Sequence, residues 1–76
     1  MALDTAAAEL TAWIVRGARE GDPVRTHGAI EAALQLHPMA RVQEVFTAVM
    51  HELADDRATS AFAARAITRQ LEHHQG

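Results

Sequence analysis

The stretch Pro38–Asp55, "PMARVQEVFTAVMHELAD", decides the fold. Met39, Val42, Phe46, Val49 and Leu53 recur at alternating spacings of three and four, the signature of one face of an α-helix. Val45 and Met50 widen that apolar stripe on both flanks. A stripe this wide touches more than one neighbour, so the sequence predicts a central helix over 38–54. Pro38 opens it, because proline tolerates the first helical turn and pushes His37 out of the α region.

The end of this stretch also poses the one hint of chemistry. His51-Glu52-x-x-Asp55 begins like the zinc-protease pattern H-E-x-x-H, with a carboxylate where the second imidazole belongs. At 100° per residue, His51 and Asp55 fall opposite the apolar stripe, with Glu44 two turns earlier. A zinc helix needs two imidazoles at i and i+4, a glutamate base and a third ligand. We therefore read His51 and Asp55 as an exposed i,i+4 pair. Asp56 then begins the next helix as its N-cap and a first-turn anion.

Working outward, three more helices follow from local signals. Asp4 or Thr5 caps a first helix over 5–19, with Leu3, Leu10, Trp13, Ile14 and Gly17 on its apolar side and Gly21 free to take positive φ at its end. Asp22 and Pro23 then read as N-cap and N1 of a second helix over 23–36, with Val24, Ile30, Ala33 and Leu34 as buried candidates. Gly28 weakens this helix by about 1 kcal/mol relative to alanine, and Thr26 is an alternative cap for a shorter version. The fourth helix spans 57–73, starting at Asp56, Thr59 or Ser60, with Phe62, Ala63, Ala66, Ile67 and Leu71 on a shallow apolar side. The expected fold is all-α: one compact bundle of four short helices in a single domain over 1–76, frayed at about 1–3 and 74–76. Short loops make successive helices antiparallel.

Composition bounds the function. The 76 residues carry no cysteine, seven arginines, no lysine and ten acidic residues, for a net charge of −3. Disulfides and thiolate metal sites are excluded. Arginine without lysine, together with abundant alanine, fits a GC-rich bacterial or phage coding sequence. No apolar run approaches the ~20 residues of a membrane helix, the N-terminus lacks a signal-peptide pattern, and a cytoplasmic setting is expected.

The five histidines, His27, His37, His51, His73 and His74, sit on different elements or, for the last pair, point about 100° apart, so neither metal nor cofactor is expected. His27 faces the core side of the second helix. The single serine, Ser60, is accounted for as a cap, and no glycine-rich phosphate loop exists. No catalytic residue is assigned. The chain is also expected to be too small for a typical pocket of about 300 Å³ or more.

The reading that remains is a non-catalytic protein–protein interaction module: an adaptor, accessory subunit or inhibitor acting on a protein partner, or a homodimer. The expected contact residues are Val15 and Arg16 on the first helix and Phe62, Arg65 and Arg69 on the fourth. Val15 is turned about 100° from Ile14 and should lie at the rim. Phe62 is dispensable to an alanine-rich face, and aromatic anchors rimmed by arginine suit binding hot spots. No nucleic-acid or membrane partner is expected. The competing reading is a small DNA-binding regulator using the fourth-helix arginines or the second and third helices as a helix-turn-helix. More remote is a metal-dependent enzyme around His51 and Asp55.

Overall fold

The computed structural model describes residues 4–75, and among them are four α-helices and no strand: α1 Thr5–Arg19, α2 Pro23–Leu36, α3 Met39–Glu52 and α4 Arg57–Gln75. The bounds of α1 and α2 are those expected. α3 is shorter than 38–54, because Pro38 serves as its N-cap and Leu53 as its C-cap. α4 continues two residues beyond 73. The expectations for Leu3 and for fraying at 1–3 and 76 lie outside the described residues, whereas residues 74 and 75, also expected to fray, are the last residues of α4.

Three of the four helices begin at an aspartate whose side chain accepts from their free N–H groups; α3 begins at Pro38, which offers no side-chain acceptor. The Asp4 carboxylate accepts from the Ala7 N–H at 2.8 Å, and the Asp22 carboxylate from the Arg25 N–H at 3.1 Å. Asp56 takes both the Thr59 N–H at 3.1 Å and the Thr59 hydroxyl at 2.7 Å. Ser60 is therefore not the cap; its N–H lies one turn on and donates to the Asp56 carbonyl. The hydroxyl bond from Thr59 holds the Asp56 carboxyl below its ordinary pKa.

α1 ends in a Schellman motif. Gly21 takes φ +66°, its N–H reaches the Ala18 carbonyl, and the Asp22 N–H reaches that of Gly17. Asp22 thus closes α1 and caps α2, so the corner leaves no residue idle. Thr26, fully buried, seats its hydroxyl on the Asp22 carbonyl at 2.7 Å and presses directly on Gly17.

Two tethers set the direction of α3. Asp4 at the start of α1 pairs with Arg41 in the first turn of α3. Arg19 at the end of α1 donates to the Glu52 carbonyl at the end of α3 and lies 3.9 Å from Asp55. Start meets start and end meets end, so α1 and α3 run the same way and α2 returns between them in sequence. All four helices touch one another, but α1 has the most extensive packing, above all against α2, whereas α2 and α3 touch least. The sequence expectation that α3 is central is therefore corrected: α1 is. The close approach at Gly17–Thr26 and the small residues Ala7, Ala18, Ala29 and Ala33 draw α1 and α2 together more tightly than the bulky stripe of α3 allows.

The resulting body measures 31 × 28 × 15 Å between Cα extremes, thin enough for about two layers of helix. Its core joins Leu10, Ile14, Ile30, Leu34, Val42, Val45, Phe46, Val49, Leu53 and Ile67 to the alanines. No buried side-chain polar atom among the described residues lacks a partner, since the buried Thr11 bonds the Ala7 carbonyl just as Thr26 bonds that of Asp22.

Candidate functional site

The apolar residues left outside this core mark the candidate surfaces. Trp13 is 55% exposed, Val24 82%, Leu36 72% and Met39 38%. Val15, expected at the rim, is only 9% exposed and belongs to the core. Both surprises on α1 have one cause. The buried residues Ala7, Leu10, Thr11, Ile14, Val15, Gly17 and Ala18 cover an arc of about 160°, centred about 60° away from the axis through Leu10, Trp13, Ile14 and Gly17. That turn brings Val15 inside and carries Trp13 out. A tryptophan cannot fit beside a seam in which a glycine touches a threonine backbone, whereas alanine, valine and isoleucine can. Val24 likewise falls opposite Thr26, Ile30 and Ala33, so it is not a core residue. Met39 stands at the exposed first turn of α3.

Grooves open between the helices, among them three of about 410, 500 and 510 Å³. The expectation that the chain is too small for such volumes is corrected: a body two helices thick leaves the valleys between helices uncovered.

The first groove lies between α1 and α2. Trp13 and Val24 stand at its sides, Gly28, Ala29 and Ala32 supply small residues, and Arg16 and Arg25 border it. Arg25 pairs with Glu20 at 3.1 Å; Arg16 has no ion-pair partner among the described residues. The second groove, between α2 and α4, gathers Pro23, His27, Phe62, Arg65, Arg69 and Glu72. His27 is half-buried at its edge, not in the core proper. Phe62 is also half-buried: it packs against the core and offers the groove only part of its ring. The third, between α3 and α4, includes Phe46, Met50, His51 and Ile67.

Of the five residues singled out in the sequence, Phe62, Arg65 and Arg69 thus share one groove, Arg16 lies in another, and Val15 is in neither. Trp13 and Val24 were missed because each was assigned to a buried face. The signal available was Trp13 itself, a bulky ring on a helix otherwise rich in alanine.

His51 and Asp55 do not form the expected i,i+4 pair. α3 stops at Glu52, which places Asp55 in the following turn, where its carboxylate faces Arg19. Among the described residues no three histidine, cysteine or acidic side chains gather as metal ligands. Arg41, the one arginine of α3, is held by Asp4, and Arg65 and Arg69 share their groove with Glu72. No described helix is long and apolar enough to cross a membrane. No protein-family model, curated protein or solved structure matches the chain.

Proposed function

We propose that the protein is a small, non-catalytic interaction module that binds a protein partner through the α1–α2 face centred on Trp13 and Val24. The observation that carries this reading is the pairing of two large exposed apolar side chains, Trp13 at 55% and Val24 at 82%, across one open groove. Single exposed apolar residues are ordinary, but neighbouring ones around a groove are the usual composition of a contact surface. Tryptophan and arginine are the residues most enriched among binding hot spots, and Arg16 stands beside Trp13 here. The α2–α4 groove, with Phe62, Arg65 and Arg69, ranks second because Phe62 is already engaged by the core.

The test compares the wild-type protein with Trp13→Ala and Val24→Asp, both surface changes that should leave the melt nearly unaltered. A photo-crosslinker at Gln35, exposed and absent from the groove's lining, serves as a control for one placed at Val24. The expected result is a defined partner or a dimer crosslinked at Val24, absent at Gln35, and lost on Trp13→Ala. Equal crosslinking at both sites, or a complex indifferent to both substitutions, would refute the assignment of this face.

A further inference from the structure

Resting on that interaction reading, we infer that the α1–α2 groove receives an acidic amphipathic helix of a partner protein. Its apolar side chain seats over Gly28 beside Trp13, and its carboxylate meets Arg16.

The shape of the groove argues for a helix. Val24, Arg25, Gly28, Ala29 and Ala32 line it from successive turns of α2, with Trp13 and Arg16 facing them from α1. From residue 24 to 32 that line is about 12 Å long, two turns of helix. Helices bind such valleys through anchors spaced at i, i+3 or i+4, and i+7.

Gly28 points the same way. It lies inside a continuous helix, where glycine costs about 1 kcal/mol relative to alanine. The fold explains the other two described glycines that matter: Gly17 touches Thr26, and Gly21 holds positive φ. At Gly28 an added Cβ would meet nothing within 4 Å. No described residue fills the space over Gly28, and that space opens into the groove beside Trp13. A bare backbone there lets a partner side chain approach more closely than any other residue would.

Charge selects the partner. The whole chain carries −3, yet the residues that line the groove include two arginines and no carboxylate. Arg25 is already paired with Glu20, which leaves Arg16 as the groove's own cation without an ion-pair partner among the described residues. A second copy of this chain is disfavoured, because a two-fold contact over this face brings the arginines of both copies into one interface whose lining offers no carboxylate to meet them.

The probe is a displayed library of short helical peptides with randomised surface positions, selected on the folded wild-type protein. Selected peptides are synthesised, and binding is followed by the fluorescence of Trp13, the only tryptophan of the chain. The expected winners carry a large apolar residue with Asp or Glu one turn away. Gly28→Leu should melt at or above the wild-type temperature yet weaken binding about tenfold or more, since it fills the groove without touching the fold. Arg16→Glu should weaken the same peptides about tenfold and, in a repeated selection, turn the preference from acidic to basic. Winners without acidic residues, or winners that bind Gly28→Leu as tightly as wild type, would overturn the proposal, as would a library that yields no binder. Concentration-dependent dimerisation abolished by Gly28→Leu would also overturn it, in favour of a second copy. Either basic winners in the groove or such a dimer would leave the broader interaction reading standing; a monomer with no binder and no crosslink at Val24 would end both.

Discussion

Gly17→Ala tests the packing of α1 on α2 more sharply than any core truncation. A Cβ on Gly17 would stand 2.6 Å from the Thr26 Oγ1, 3.1 Å from its backbone N and 3.2 Å from its Cα. The first distance is impossible for carbon against oxygen, and the other two are tight. Thr26 cannot swing aside freely: it is fully buried, and its hydroxyl is bound to the Asp22 carbonyl. The helix backbone must therefore shift, and overpacking of this kind costs about 1–3 kcal/mol. Alanine returns up to about 1 kcal/mol through its better helix propensity. Gly28→Ala provides the control, because it gains the same propensity and meets no neighbour. The difference between the two variants isolates the packing cost. It should appear as roughly 5–20 °C in Tm by far-UV circular dichroism, given about 4–8 °C per kcal/mol for a domain of this size. Gly28→Ala should melt above the wild type and Gly17→Ala below it. Adding Thr26→Ala to Gly17→Ala should restore part of the loss, since it removes the Oγ1 contact but leaves the backbone ones. If Gly17→Ala melts as high as Gly28→Ala, the close approach of α1 and α2 is wrong.

Phe46→Ala should cost about 3 kcal/mol, the low end for a buried phenylalanine, because one side of Phe46 borders the α3–α4 groove and can relax. A variant that melts within a few degrees of wild type would remove α3 from the core. Asp56→Asn keeps the cap acceptor but no longer titrates. Because the folded pKa of Asp56 is depressed, its contribution is complete above its ordinary value of 3.8 and is lost as the pH falls through the lower folded value. The variant should therefore lose less stability than wild type between neutral pH and pH values below about 4; identical acid profiles would refute the Thr59–Asp56 bond. Thermal melts with and without EDTA should coincide, and a fall of more than a few degrees would restore a metal to the picture.

The helix limits were legible in the chain because each depends on near neighbours. Asp22-Pro23 must start a helix, His37-Pro38 must interrupt one, Gly21 permits the left-handed turn, and Asp56 finds Thr59 three residues on, whatever the rest of the molecule does. The buried stripe of α3 was legible for the same reason, since four of its positions needed only helical spacing. What covers each helix was not a local matter. Trp13 and Val15 lie two residues apart, and both orientations of α1 bury a plausible apolar face. Tertiary packing decided between them, because the contact of Gly17 with Thr26 admits small side chains and excludes a tryptophan. The same choice made α1 rather than α3 the central helix and turned Val24 to the outside. It thereby assembled the Trp13–Val24 groove from two residues that periodicity alone had assigned to the interior.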